Sequence, residues 1–213
     1  MPPSPERHLA AADPVLGRLI ARVGPCRLKA TKASDTFQAL AEAIVYQQLT
    51  GKAAATILRR VKGLFPPPFP TPRRVLARPD ALLRGAGLSG GKIRALKDLA
   101  RLTLEGTVPP IGVLEDLQDA EIVERLTCVH GIGPWTVHML LIFRLGRPDV
   151  LPLTDYGVRK GFARIFRLKD LPTPERLLAH AERWRPHRSA ASWYLWRALD
   201  LSCRGPNRLP KGI

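Results

Sequence analysis

Residues 126–137, LTCVHGIGPWTV, constrain the fold more than any other stretch of the chain. Apolar residues at helical spacing lead into this segment and resume beyond it, which predicts two helices, 119–127 and 134–146, around a tight turn. Gly131 and Gly133 permit positive φ and let backbone approach a partner closely. Pro134 suits the first turn of the second helix, where its missing N–H costs nothing. The N–H groups at that helix start, aided by the helix dipole, suit a phosphate oxygen. Such a contact grips a nucleic-acid backbone without reading its bases. Taken alone, a turn of this kind does no more than join two helices.

The remaining chain is also helical in pattern, and the fold class read from it is all-α. Val15, Leu19 and Val23 predict a helix over 13–23. Ser34 is placed to cap a second, with Phe37, Leu40, Ala41, Ile44, Val45 and Gln48 on one stripe. A third runs from Lys52 to Leu64, turning Ile57, Leu58, Val61 and Leu64 inward. PPPFPTP at 66–72 breaks regular structure and reads as a hinge or a tight loop. Residues 79–87 form a short helix, and Ser89–Gly91 introduces another that Gly106 stops. That helix turns Ile93, Leu96, Leu99, Ala100 and Leu104 inward and leaves Lys92, Arg94, Lys97 and Arg101 exposed. Three more cover 155–167, 173–184 and 187–201.

Charge supplies the context that the turn lacks. Thirty-four Lys and Arg against 18 Asp and Glu give +16, which points to a polyanionic partner. The excess sits in residues 51–100 (11 basic, 2 acidic) and 151–213 (13 against 5), while 101–150 is acidic, 4 against 7. Cys26, Cys128 and Cys203 are too few and too scattered for a disulfide framework or a metal cluster, which fits a reducing cytoplasm. No secretory h-region is visible, and no apolar run approaches the ~20 residues of a membrane span. His8, His130, His138, His180 and His187 show no metal-ligand spacing. His130 and His138 are placed to approach DNA, though packing is their default role. In a basic all-α chain, the turn and its flanking helices match the helix–hairpin–helix motif.

The run LTCVHGIGPWTVHMLLIF, followed by Asp149, Pro152 and Asp155-Tyr156, resembles the helix–hairpin–helix–GPD superfamily of DNA glycosylases. Within it the chain is most similar to the AlkA-type 3-methyladenine DNA glycosylase II group. AEAIVYQQLTGKAA at 41–54, GLSGGKIRALKDLARLTLEGTVP at 87–109 and AERWRPHRSAASWYLWR at 181–197 extend the likeness over roughly residues 35–200. The resemblance implies one glycosylase unit of two small helical lobes with the active-site cleft between them. It leaves no room for the N-terminal mixed α/β domain of longer members. It also implies a monomer that acts on duplex DNA and flips out alkylated purines: 3-methyladenine, 7-methylguanine, and among further candidates 1-methyladenine and hypoxanthine.

Site residues follow from the same likeness. Asp155 occupies the place of the catalytic carboxylate, which stabilises positive charge on the sugar as the bond to the base breaks. A base alkylated at N3 or N7 is already cationic and departs without a strong general acid, so one carboxylate suffices, unlike the paired acids of ordinary glycosidases. Capping of the following helix is the plainer role for Asp155, and both roles are compatible. Trp135 stands where bifunctional relatives carry a Schiff-base lysine, which implies a monofunctional enzyme. Trp135, Tyr156 and Trp196 align with an aromatic base pocket, where stacking and cation–π attraction favour an electron-poor base by about 0.5–2 kcal/mol. Trp184 reads as core, as does at least one of Trp193 and Trp196.

DNA contact falls to Gly131, Ile132, Gly133 and Thr136 of the hairpin and to the loop at 47–51. There Gln48, Leu49 or Thr50 is the wedge that fills the gap of the flipped nucleotide, and Lys52 holds a phosphate. No cofactor is required. The carbonyls of Thr127, Val129 and Ile132 match positions that hold a monovalent cation, Na⁺ or K⁺, in relatives. Three other readings compete: a hairpin module that only binds DNA, a glycosylase with lyase activity, and a basic RNA- or membrane-surface protein. Asp155 beside an aromatic slot speaks against the first and Trp135 against the second; the third has no motif here.

Overall fold

The computed structural model describes residues 4–31, 35–67 and 69–203. Every regular element among the described residues is helical. In order they are α1 (Pro5–Ala12), α2 (Pro14–Val23), α3 (Thr36–Tyr46), α4 (Gly51–Gly63), α5 (Pro72–Ala77), α6 (Asp80–Gly85) and α7 (Gly90–Leu104). Then come α8 (Ile111–Asp116), α9 (Asp119–Thr127), α10 (Pro134–Phe143), α11 (Tyr156–Ile165), α12 (Pro174–Ala181), a 3₁₀ turn (Glu182–Trp184) and α13 (Arg188–Cys203). Starts follow the capping rules: Ser4, Asp13, Asp35, Thr71, Ser89 and Thr173 each accept a hydrogen bond from the first turn they precede. No helix among them is long and apolar enough to cross a membrane.

The chain divides into two compact units, Met1–Ala30 with Gly146–Ile213, and Thr31–Leu145. In the first, Leu9, Leu16, Val158, Phe162, Leu177, Trp184 and Tyr194 form a continuous apolar core. Trp184 is core, as its sequence context implies. Asp13 is buried beneath that core and accepts from His180 Nε2 (2.8 Å) and Trp184 Nε1 (3.0 Å) while capping α2. Burial alone would raise the Asp13 pKa; the bonds from His180, the Leu16 N–H and Trp184 outweigh it and hold the carboxyl below its ordinary range.

In the second unit α3, α5 and α6 pack on α7, with Phe37, Leu40, Ile44, Leu83, Ile93, Leu96 and Leu99 buried. Several expectations change here. Ser34 lies outside the described residues, and Asp35 supplies the cap of α3. Gln48 leaves the helical stripe, because α3 ends at Tyr46 and Gln48 adopts φ 56°. On α4 the fully buried positions are Ala54 and Val61, while Ile57, Leu58 and Leu64 are half-buried. Leu104 is 48% exposed in the last turn of α7. PPPFPTP, of which Pro68 is outside the described residues, lies within this unit and not between units. Its Phe69 packs edge-on to Phe37 at 6.3 Å, beneath the Lys62 ammonium.

Candidate active site and nucleic-acid interface

In the first unit the carboxylate of Asp155 is built into the start of α11. Asp155 N–H donates to Pro152 O, and its Oδ1 accepts the Val158 N–H at 2.7 Å, an N-cap. The indole N–H of Trp196, on α13, donates to the same oxygen at 2.8 Å. Capping and site roles therefore coincide in one residue. Tyr156, 61% exposed, begins the helix beside it, with Lys160 Nζ 5.2 Å from its ring centre. Trp196 is half-buried, and Trp193 beside it stacks under Arg197 and packs against the core.

Two glycines that the sequence reading did not single out make this contact possible. A Cβ at Gly157 would fall 2.8 Å from the Trp196 ring and 3.1 Å from Asp155 Oδ1. At Gly161, one turn on, it would run into the Leu195 carbonyl oxygen, with the carbonyl carbon at 2.7 Å. Their spacing of four lays a bare stripe along α11, against which the α13 backbone packs. That spacing is readable in the sequence, but only the partner helix gives it meaning.

The register of α13 is set at its other end. Arg188 clamps Asp149 with Nε on Oδ1 (2.8 Å) and Nη2 on Oδ2 (3.0 Å). Ser189 Oγ donates to Arg147 O and accepts the Val150 N–H. Asp149, part of the family-like run, is thus a staple between the segment leading to Asp155 and the helix carrying Trp196.

The second unit holds the hairpin. Gly131 uses its freedom, with φ +78° and Ala95 only 3.1 Å from where a Cβ would sit. Gly133 does not: its φ is −100°, ordinary for any residue, and open space surrounds it. Of the two glycines that permit positive φ, only Gly131 adopts it. Thr136 and Val137 N–H groups turn back onto Gly133 O (3.0 and 3.3 Å), so they are spent within the helix start. The N–H groups of Gly131 and Gly133 have no acceptor among the described residues. Thr136 is only 6% exposed, so its side chain is core and not a surface contact, a correction. The side chains of Val129 and Ile132 are buried too, leaving only their backbone at the turn. His138 is half-buried, and burial pulls its pKa below that of ordinary histidine; it packs and does not face a partner.

The hairpin is braced from two sides. His130 N–H donates to Asp98 Oδ2 (2.8 Å), a bond that, with Arg101, holds the Asp98 pKa low against a burial penalty. Gln47 Nε2 donates to Gly131 O (2.9 Å). Lys92, expected on the surface, instead caps α3, its ammonium on Val45 O (2.7 Å) and Gln47 O (2.8 Å); burial lowers its pKa. These bonds couple the 47–51 loop to the hairpin. On that loop Gln48, Leu49 and Thr50 are all exposed, as is Lys52 in the first turn of α4, and Thr50 makes no side-chain cap bond. Trp135, 44% exposed, follows the hairpin. The structure thus gathers Asp155, Tyr156 and Trp196 in the first unit, and Trp135 with the hairpin and loop in the second.

A family model described as "HhH-GPD superfamily base excision DNA repair protein" matches residues 41–186. The chain is 39% identical over 199 residues to DNA-3-methyladenine glycosylase 1 of Schizosaccharomyces pombe, spanning 92% of this chain and 87% of that one. Its structure is similar to that of the S. pombe 3-methyladenine DNA glycosylase in complex with abasic DNA, with TM-score 0.85, 38% identity and 95% and 100% of the two chains covered. It is also similar to a DNA-3-methyladenine glycosidase from Bacillus halodurans, with TM-score 0.84, 30% identity and 94% and 91% covered. The match extends over most of the chain and includes the hairpin and Asp155, and the chain belongs to the HhH-GPD superfamily of base excision DNA repair proteins.

Proposed function

We propose that the protein is a monofunctional DNA glycosylase that extrudes alkylated purines from duplex DNA and hydrolyses the N-glycosidic bond, leaving an abasic site. The observation that carries this reading is the Asp155 carboxylate, fixed by Val158 N–H and Trp196 Nε1 at the head of α11. A module that only binds DNA needs no such group. As the bond to the base breaks, electrons leave with the base and positive charge grows on the sugar; a fixed carboxylate stabilises that charge without reorganising. Its oxygen then orients the water that attacks C1′. Tyr156 and Trp196 offer ring faces for a cationic purine, and at position 135 a tryptophan stands where a lysine would form an imine.

The N–H groups of Gly131 and Gly133 hold a DNA phosphate, Lys52 a second, and the 48–50 loop fills the space of the extruded nucleotide, with Leu49 as its apolar member. The carbonyls of Thr127, the last residue of α9, and of Val129 and Ile132 in the turn that follows are neutral oxygen donors, a set suited to a monovalent cation. Val129 O already accepts the Ile132 N–H, which leaves it one lone pair for such an ion. We infer a cytoplasmic protein, associated with the nucleoid if the source is bacterial, from its few scattered cysteines and its duplex DNA substrate. Release of free bases from methylated duplex, with strand cleavage scored separately, tests the reading. Release with strands intact until alkali is expected; neither release nor abasic product would overturn it.

Two substitutions probe the parts. Trp196→Phe keeps the ring but removes the donor to Asp155. A hydrogen bond to a charged group is worth about 1.5–3 kcal/mol, so kcat is expected to fall about tenfold to a hundredfold with KM little changed. A fall in thermal stability large enough to explain the loss would count against this positioning role. Gly133→Ala meets no neighbour and no forbidden φ, so stability should hold while duplex affinity drops, because the methyl keeps phosphate away. Gly131→Ala is expected to lose about 1–2 kcal/mol of stability as well, from its left-handed φ and the Ala95 contact. Equal affinity in wild type and Gly133→Ala would remove the hairpin phosphate from the proposal.

A further inference from the structure

At the end of α11 away from Asp155, about 15 Å along the helix axis by its length, a groove of about 680 Å³ opens between α2, residues 164–167 and the last turns of α13. Arg18, Arg22, Arg164 and Arg167 line it, and no lining residue is acidic. All four are exposed, and none has a carboxylate partner among the described residues. Three other arginines of the same unit are held by carboxylates: Arg185 and Arg188 by Asp149, and Arg197 by Asp200. Arg167 occupies the left-handed position that follows a helix, with φ 54°, where glycine is favoured. The chain keeps a guanidinium there despite that preference.

The floor between the arginines is apolar, formed by Val15, Leu19, Ile165, Phe166 and Leu201. We propose that this groove docks an acidic segment of a partner protein, carboxylates on the four guanidiniums and a branched or aromatic side chain on the floor. Charge complementarity chooses the sign of the occupant, since guanidinium forks match carboxylates in bidentate geometry. The apolar floor chooses its class. Duplex DNA presents phosphates and sugars at its surface and has no apolar side chain to desolvate that floor. The chain's own last ten residues carry Arg204, Arg208 and Lys211 and no acid, so they do not complement the groove. A repair enzyme that leaves an abasic site hands it to another protein, and this face lies away from the carboxylate that makes it; that consequence rests on the glycosylase reading, but the docking surface does not.

The test uses the full chain and three labelled probes: a peptide repeating Glu-Glu-Leu, its Glu-Glu-Ser counterpart of equal charge, and an undamaged duplex. Fluorescence anisotropy compares wild type, Arg18→Glu with Arg164→Glu, and a control of equal charge change, Arg73→Glu with Arg74→Glu on α5. The groove variant is expected to lose affinity for the Leu peptide by about tenfold or more relative to the control. Its duplex binding and base release should match the control, and the Ser peptide should bind wild type more weakly than the Leu peptide. Equal losses in both variants would reduce the effect to net charge. A selective loss of duplex binding in the groove variant would make this a DNA surface, and equal affinity for both peptides would remove the floor; each overturns the proposal. Base release failing in every form would overturn the glycosylase reading and leave the groove result standing.

Discussion

Asp155→Asn is expected to bind duplex DNA as well as the wild type while base release falls by about two to four orders of magnitude. The asparagine keeps an oxygen where Oδ1 now accepts the Val158 and Trp196 N–H groups, so the cap of α11 and the position of α13 are preserved. What disappears is the negative charge that opposes the developing sugar cation. Stability should therefore change by no more than about 1 kcal/mol, the range of an altered cap. Measuring release and thermal unfolding on the same sample separates the two roles of this side chain. Undiminished release would take Asp155 out of the mechanism; lost folding would leave it only the cap.

The second large effect is structural. Gly161→Ala places a methyl group on the Leu195 carbonyl oxygen, a backbone atom with no rotamer by which to move aside. Relief requires α13 to back away from α11 and carries Trp196 with it. Overpacking of this kind costs about 1–3 kcal/mol or more, and base release should fall further than the stability loss alone predicts. Gly63→Ala is the matched control, since nothing lies within 4 Å of that position; it should leave the chain as stable or slightly more so. Equal stability of the two variants would show that α11 and α13 are not held as close as the structure has them.

Much of this architecture was legible in the residue pattern, and the misses have physical causes. The helices α2, α3 and α7 combine an apolar stripe with a capping residue or a glycine stop, two signals that agree, while α9 and α10 are marked by the glycine turn between them and by Pro134 at the head of the second. α1, α5 and α8 show no legible stripe, since six to eight residues offer few turns and these lack the neighbouring glycine stop that marks α6. Ser4-Pro5 before α1 and Thr71-Pro72 before α5 were the available signals, a cap followed by proline at the first helical position. Leu104 and Gln48 depart from their expected faces because periodicity says which face a residue takes, not where the helix or its neighbour ends. A lysine beside arginines usually lies on the surface, and only the packing of α3 on α7 gives the Lys92 ammonium two carbonyls to cap.

The site divides along the same line. The resemblance that implies the chemistry rests on local features: one carboxylate after the hairpin, tryptophan where bifunctional relatives carry a lysine, and a glycine turn before a proline-started helix. These depend on residue type and short spacing, which a linear chain displays. The supporting geometry depends on residues far apart in sequence, and the linear pattern is silent about them. Trp196 reaches Asp155 across 41 residues, Gln47 reaches Gly131 across 84, and Asp98 reaches His130 across 32. Gly157 and Gly161 look like weak points in a helix until α13 is laid against them. Local motifs carried the resemblance that places this chain among the base excision DNA repair proteins. Tertiary packing decided which oxygen is held, by which donors, and which surfaces remain open to a partner, because close approach of two backbones is a property of neither helix alone.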